Sequence, residues 1–161
     1  MQEQIAKSDT TLYQKALWLK QAAEGISWLH GSNIIHGDLK PSNLLYHAKT
    51  HSLKIADFGV RSMKDNIFGV ELGQTLLYTA PEVVDSKVSK GGDVYSFGLI
   101  IYFFITGKHP KKGESPEFPK DETICPASLR KLASDCLENS ESKRPSFEKI
   151  LPTMDNIILH W

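Results

Sequence analysis

Three short segments contain residue types that could carry out chemistry together. In chain order they read His-Gly-Asp-Leu-Lys-Pro-Ser-Asn at 36–43, Asp-Phe-Gly at 57–59 and Ala-Pro-Glu at 80–82. Asp38 offers a carboxylate that could accept the proton of a hydroxyl, although an isolated aspartate in a loop more often caps a turn. Asn43 and Asp57 offer amide and carboxylate oxygens, which are hard ligands that suit magnesium. The segments therefore predict a metal-assisted site with one candidate base.

The elements that must position these residues begin with a helix and a hairpin. Apolar residues recur at steps of three and four over residues 12–30, which predicts an amphipathic helix that ends near Gly31. Thr11 precedes this pattern and has the chemistry of a capping residue. Two short apolar runs flank a polar turn and predict a small hairpin, at 44–46 and 53–56. The hairpin would therefore lie between the first two segments.

The second half of the chain predicts three further helices. One opens at 91–93 and runs to about Thr106, and because it is apolar nearly all round it should lie at the centre of the fold. Another can begin at Pro126, and the last carries an apolar stripe that starts at Phe147. Pro152 interrupts that stripe, so we expect the last helix to kink or restart there. The predicted fold class is mainly α with a small β-hairpin.

Composition argues against several classes of function. The 161-residue chain has a formal net charge of +0 and a pI near 7.0, which argues against a general nucleic-acid surface or binding to anionic membranes. Its long apolar run at 97–105 is shorter than the roughly 20 residues that cross a bilayer, so no membrane insertion is expected. Cys125 and Cys136 have neither zinc-ligand spacing nor a disulfide framework around them. We therefore expect reduced thiols, with Cys136 in a core, and a cytoplasmic location.

In this order and at these distances, the three segments resemble motifs of the C-terminal lobe of a eukaryotic protein kinase. The resemblance extends from about residue 12 to the end, and it implies a lobe of the α+β fold of a complete kinase domain. Residues 1–11 would end the inter-lobe linker and 12–161 would form the lobe, with a catalytic loop at 34–43 and a metal-binding motif and activation segment at 57–82. No Gly-rich loop and no lysine-bearing strand precede these motifs, so we expect the N-terminal lobe to be absent.

The resemblance implies a role for each residue of the site. Asp38 would orient the substrate hydroxyl and accept its proton, and Lys40 would lie between the γ-phosphate and the substrate. Asn43 and Asp57 would hold magnesium and, through it, the phosphates of ATP. The predicted catalytic residues are therefore Asp38, Lys40 and Asn43. The predicted metal and cofactor ligands are Asn43 and Asp57.

Other residues resemble parts of the kinase framework. Thr75 and Tyr78 lie where Ser/Thr kinases form the floor for the residue after the phosphoacceptor, although Gln74 replaces a usual glycine there. Glu82 is expected to form a buried ion pair with Arg144. The remaining framework residues are His36, Phe58, Gly59 and Asp93.

Asp93 allows two interpretations. Its place at a helix start suits an N-terminal cap, and the resemblance implies an acceptor for backbone donors of the catalytic loop around His36. His36 would then be a packed core histidine rather than a catalytic one. The other histidines show no metal-ligand spacing, and we expect them at the surface.

Gly37 is the main departure from the kinase pattern. Most kinases have arginine immediately before the catalytic aspartate, where it binds a phosphate on the activation loop. Glycine cannot do so, and the chain resembles kinases without this arginine, termed non-RD, in the tyrosine-kinase-like branch. We therefore hypothesise that phosphorylation of Ser62, Thr75 or Tyr78 is not a simple on-switch.

The resemblance implies a Ser/Thr-type protein kinase that uses ATP and Mg2+ to phosphorylate protein substrates. The isolated chain is predicted to be inactive or nearly so, because the missing lobe would supply in cis much of the nucleotide site. An alternative is a non-catalytic scaffold or binding module with a kinase-like lobe. A third interpretation is an unrelated helical domain with chance motifs, and such a domain would lack the hairpin.

Overall fold

The computed structural model describes residues 10–58, 76–83 and 87–160. Within these ranges the chain forms helices and one antiparallel hairpin, which confirms the predicted fold class. The elements are α1 (Leu12–Gly31), β1 (Leu44–His47), β2 (Ser52–Ile55), α2 (Lys90–Thr106), α3 (Ala127–Cys136) and α4 (Phe147–Leu159). Two 3-10 turns, Pro41–Asn43 and Glu141–Lys143, complete them. None of the described helices is long and apolar enough to span a membrane.

Helix α1 begins and ends where the sequence predicts. The Thr11 hydroxyl accepts a hydrogen bond from the backbone N–H of Gln14 at 3.1 Å, which satisfies one free donor of the first turn. The face buried against the core includes Ala16, Leu19, Ala23 and Ile26. This face packs against α4, β2 and α2, so α1 connects the hairpin to the helical core.

The hairpin is fixed to α1 by close packing and by one side-chain hydrogen bond. A Cβ on Gly25 would lie 2.7 Å from Cδ1 of Ile55, so a larger residue would require the Ile55 side chain to move. The backbone N–H of Leu53 donates to Oε1 of Gln21 at 2.7 Å. Leu44 pairs with Ile55, and the backbone N–H of Ala56 donates to the carbonyl of Asn43 at 2.9 Å. The ladder therefore continues one step beyond the strands, into the candidate site.

Helix α2 is the centre of the fold, as its apolar sequence predicts. It begins at Lys90, one to three residues before the predicted opening, because the Ser89 hydroxyl accepts from the backbone N–H of Gly92 at 2.9 Å. It ends at Gly107, which has a left-handed φ of 69°. A Cβ on Gly98 would lie 2.8 Å from Cγ of Leu137, so α3 and the residue after it approach α2 closely.

The last two helices complete the core. Pro126 precedes α3 as predicted, and both cysteines are free and buried, Cys136 within the core. We expected a kink or a restart of α4 at Pro152, and the restart is wrong, because the helix is continuous through this residue. Proline removes a single helical donor there. The stripe of Phe147, Ile150, Met154 and Ile157 remains buried on both sides of that position and keeps the helix docked.

Candidate active site

Asp93 holds the backbone of the loop at 34–43. Its carboxylate is 1% exposed and accepts from the backbone N–H of His36 at 2.8 Å and from that of Gly37 at 2.9 Å. The alternative that Asp93 caps its own helix is wrong, because Ser89 caps α2. Nε2 of His30 lies 2.8 Å from the same carboxylate. A buried carboxylate that accepts several hydrogen bonds is strongly held, so this part of the loop has a fixed position.

His36 is buried, as the sequence predicts, and its two ring nitrogens have different partners. Nδ1 accepts from the backbone N–H of Asp38 at 3.2 Å, so Nε2 carries the proton and donates to the carbonyl of Ala56 at 3.0 Å. Burial lowers the pKa of His36, although the nearby Asp93 carboxylate acts in the opposite direction. The neutral ring therefore connects the residue before Asp57 to the loop that carries Asp38.

The structure brings Asp38, Lys40 and Asn43 together. Nζ of Lys40 lies 3.2 Å from Oδ2 of Asp38, and the two side chains are 7% and 22% exposed. Nδ2 of Asn43 donates to the backbone carbonyl of Asp38 at 2.7 Å and lies 3.4 Å from Oδ2 of the same residue. These contacts orient the Asp38 carboxylate beside a cation while leaving part of it accessible to solvent.

Asp57 follows the end of the hairpin ladder that begins at Asn43. The register that pairs Leu44 with Ile55, extended by the hydrogen bond from Ala56 to Asn43, sets Asp57 one residue beyond the end of the ladder. Asp57 is exposed and has a left-handed φ of 58°, a conformation in which aspartate is enriched. Its carboxylate has no hydrogen bond or ion pair within the described part of the chain, so its oxygens are available to a ligand.

Gly37 is required by the local backbone and packing. It has a left-handed φ of 77°, and a Cβ at this position would lie 2.7 Å from Cγ1 of Val88. A larger side chain would need both a strained backbone and movement of Val88. The backbone at position 37 and the contact with Val88 therefore favour glycine over arginine before Asp38.

Arg144 and Glu82 form the expected ion pair, with an unequal burial that the sequence did not predict. Nη2 of Arg144 donates to Oε2 of Glu82 at 2.8 Å, and Nη1 contacts Oε1. The Arg144 side chain is fully buried, whereas that of Glu82 is 31% exposed, so the pair is only half buried. Hydrogen bonding to Arg144 lowers the pKa of Glu82. Arg144 also donates to the carbonyls of Gly91 and Glu138, and so ties residues 80–83 to α2 and to the turn before α4.

Of the two residues predicted to form a substrate floor, Tyr78 lies within the described residues and Thr75 does not. Thr75 and Gly59 lie outside the described residues, as does Ser62. The side chain of Tyr78 is 2% exposed, and its hydroxyl lies 3.0 Å from Nδ1 of His109. Burial raises the pKa of Tyr78. Tyr78 can therefore support a surface only from beneath and cannot contact a substrate with its side chain in this conformation.

Two histidines differ from the sequence prediction. Phe58, which was expected to be structural, is 48% exposed and is not part of the described core, and its structural role stays a prediction. His30 and His109 were expected at the surface, but both are partly buried and bonded, His30 to Asp93 and His109 to Tyr78. For His30 the signal was available, because it occupies the apolar stripe of α1. His109 lies in a polar loop and gave no such signal.

Comparison with known proteins identifies the class to which this fold and site belong. The family model described as "Protein kinase domain" matches residues 2–154. The chain therefore belongs to the protein kinase family.

Two named relatives are themselves kinases. The dual specificity protein kinase shkC of Dictyostelium discoideum is 34% identical over an alignment 175 residues long, and this alignment covers 95% of this chain and 34% of that protein. The serine/threonine-protein kinase A-Raf of Homo sapiens is 33% identical over 159 residues, which cover 84% of this chain and 26% of that protein. The A-Raf of Sus scrofa matches to the same extent. This chain thus spans about a third of one relative and about a quarter of the other.

Proposed function

We propose that the protein containing this chain transfers the γ-phosphate of ATP to serine or threonine hydroxyls of protein substrates. The observation that supports this most strongly is the cluster in which Asp38, Lys40 and Asn43 are joined by short polar contacts, with Asp57 at the end of the adjoining ladder. Membership of the protein kinase family supports the same reaction.

Asp38 would accept or orient the proton of the substrate hydroxyl. Its side chain is 22% exposed, so a hydroxyl can reach the carboxylate, and the hydrogen bond from Asn43 to the Asp38 carbonyl fixes the backbone that carries it. Lys40 supplies a positive charge 3.2 Å from the carboxylate, at the side where negative charge of the phosphoryl group would arrive. The chain would thus contribute positioning and electrostatics, which is most of what phosphoryl transfer requires.

Asn43 and Asp57 fit a magnesium ion that accompanies the nucleotide. The Asn43 amide donates through Nδ2 to Asp38, so its oxygen faces away from that residue, and the exposed carboxylate of Asp57 has no partner in the described structure. Two hard oxygen donors that leave room for water suit magnesium, which keeps several waters when bound. Magnesium bound there would neutralise charge on the phosphates of ATP.

Exposed apolar side chains near Asn43 and Asp57 are an argument that a nucleotide and a further protein domain cover this surface. Leu45, on the exposed face of β1, is 53% exposed, and Phe58 is 48% exposed. Apolar side chains exposed beside a polar cluster are typical of a surface that a ligand or another domain covers. We propose that an N-terminal lobe in cis supplies that cover, and that residues 1–11 connect to it. The chain without this lobe would be inactive or nearly so.

Two finer proposals follow. A cytoplasmic location is in keeping with the two free thiols. Activation independent of an arginine clamp is in keeping with Gly37, whose backbone and neighbours exclude a larger residue. The comparisons do not favour the alternative of a non-catalytic scaffold, because the relatives that match most of the chain carry the names of kinases.

The test uses the longest natural protein that contains this chain. It would be incubated with radiolabelled ATP, Mg2+ and casein as a generic acceptor, and phosphoamino acids would be separated afterwards. We expect phosphoserine or phosphothreonine, and a loss of about 10²- to 10⁴-fold in rate for Asp38→Asn, the size of effect a positioned base contributes. Asp135→Asn is the matched control, because Asp135 pairs with Lys131 on the surface of α3. Equal rates for Asp38→Asn and the natural protein would overturn the proposal.

A further inference from the structure

A groove next to the catalytic loop has the shape and charge to select substrates. It has a volume of about 410 Å³ and is lined on one side by residues 76–83 and on the other by the loop that follows α2. Thr79, Ala80 and Val83 line this groove and also a narrow space that reaches Gly37. The groove is therefore separated from the loop bearing Asp38 by a single layer of residues.

The floor of the groove is apolar. Leu76 is 40% exposed, and Leu77, Leu99 and Pro110 line the groove around it. Tyr78, buried beneath this segment and bonded to His109, keeps the layer in place. One apolar side chain of an extended peptide could bury part of its surface here, and this burial would favour binding.

The rim of the groove is positively charged. Lys111 and Lys112 line it beside a single acidic side chain, Glu114. Nζ of Lys111 lies 3.4 Å from Glu114, but both side chains are well exposed, so the pair is weak and a carboxylate of a ligand can compete for the lysine. Lys112 makes no ion pair within the described part of the chain. The rim thus offers two ammonium groups to an acidic partner.

We infer that this groove selects protein substrates that carry an apolar residue beside one or two acidic residues close to the phosphorylated hydroxyl. The apolar residue would lie on Leu76 and its neighbours, and the acidic residues would pair with Lys111 and Lys112. The inference rests on the proposed kinase function, because it names the substrate class of that site.

A binding measurement can test the inference without any phosphate transfer. Fluorescein-labelled eight-residue peptide pools with fixed Leu-Asp-Asp, Leu-Lys-Lys or Ser-Asp-Asp would be titrated with the longest natural protein that contains this chain, by fluorescence anisotropy at low salt. The two Asp residues would form exposed ion pairs with Lys111 and Lys112. We therefore expect Leu-Asp-Asp to bind about three- to tenfold more tightly than Leu-Lys-Lys. Replacing Leu by Ser should also weaken binding, by a few-fold.

Variants assign the preference to the groove. Lys111→Glu with Lys112→Glu should remove or reverse the preference for Asp over Lys, whereas the control Lys143→Glu with Lys149→Glu, equal in charge and exposed elsewhere, should preserve it. Leu76→Asn should remove the preference for Leu over Ser. Equal binding of the acidic and basic pools, no binding of Leu-Asp-Asp, or a preference unchanged in the Lys111 and Lys112 double variant would each overturn the inference.

The two proposals fail in different ways. If the protein transfers phosphate but binds all pools equally, only the substrate preference is wrong. If the pools bind as expected but no phosphate is transferred, the proposed kinase function is wrong, and the groove is a peptide-binding site. If sedimentation shows a dimer that the Lys111 and Lys112 double variant dissociates, the groove holds a second copy of the chain and the inference is overturned.

Discussion

The inner and outer sides of the candidate active site differ in how fully their polar groups are satisfied. On the inner side, buried Asp93 accepts hydrogen bonds from the backbone of the loop at 34–43. Buried Arg144 donates to the carboxylate of Glu82 and to the carbonyls of Gly91 and Glu138. On the outer side, Leu45, Asp57 and Phe58 are exposed, and Asp57 has no partner in the described structure. Within the described residues, buried hydrogen bonds therefore support the inner side, and the outer side presents groups that a ligand could contact.

The largest expected effect tests the inner side through Arg144. Arg144→Leu would leave Glu82 and the carbonyls of Gly91 and Glu138 without their donor. We expect the free energy of unfolding to fall by about 3 kcal/mol, the lower end for a broken buried pair, because Glu82 is 31% exposed. Urea denaturation measures this.

Two further variants sharpen the Arg144 test. Arg144→Lys should recover little stability, because an ammonium cannot reproduce the paired contacts of the guanidinium. Lys143→Ala, at the exposed neighbouring position, should change stability by less than about 0.5 kcal/mol. If Arg144→Leu and Lys143→Ala were equally stable, the hydrogen bonds of the inner side would not stabilise the fold as we expect.

A second, smaller effect concerns Asp93. In Asp93→Asn one carboxylate oxygen becomes an amide NH2 that faces a backbone N–H of His36 or Gly37, and this buried mismatch should cost about 2 kcal/mol. Kinase activity should fall as well, since the loop that carries Asp38 would lose part of its support. The surface control Asp135→Asn should leave both quantities nearly unchanged. Normal stability for Asp93→Asn would show that the loop is held by other contacts.

The dependence of stability on pH gives a third test of the inner side. The pKa of buried His36 lies below its ordinary value of 6.5, so the unfolded chain takes up a proton at a higher pH than the folded chain does. Neutral His36 contributes its full share to the free energy of unfolding above about pH 6.5. This contribution is lost as the pH falls through the lowered pKa of His36. The free energy of unfolding should therefore decrease between pH 7 and 5, and less steeply in His36→Gln. Identical slopes would contradict a neutral, buried His36.

The smallest expected effect on stability is on the outer side. Asp57→Asn should change the free energy of unfolding by less than about 0.5 kcal/mol, because the exposed carboxylate has no partner in the described structure. Urea denaturation without nucleotide is the measurement. A loss comparable to that of Asp93→Asn would mean that Asp57 supports the fold and would remove the contrast between the two sides.

The sequence predicted the elements well because their signals are local. The stripe of α1, the apolar length of α2 and the two runs of the hairpin each depend on residues close together in the chain. At Pro152 the sequence left a kink and a restart of α4 open, because local proline chemistry opposes a helix there and tertiary packing decides whether it continues.

The site was predicted in its residue types and less well in its contacts. Asp38, Lys40 and Asn43 lie within one short loop, so their proximity could be anticipated. The hydrogen-bond partners of His30 and His109 could not, because each lies more than 30 positions away in the chain, at Asp93 and Tyr78 respectively. Likewise, the need for glycine at position 37 arises from Val88, which no local pattern connects to it.

The most direct test of the two-sided site is the binding of magnesium and a non-hydrolysable ATP analogue, measured by isothermal titration calorimetry on the longest natural protein that contains this chain. Asp57→Asn should weaken binding by about tenfold or more while the protein stays folded, because a metal ligand is lost. Asp38→Asn should bind within about threefold of the natural protein, because the role proposed for Asp38 is on the substrate hydroxyl and not on the metal. If Asp57→Asn binds the nucleotide as tightly as the natural protein, Asp57 does not hold the metal, and the account of the outer side is wrong.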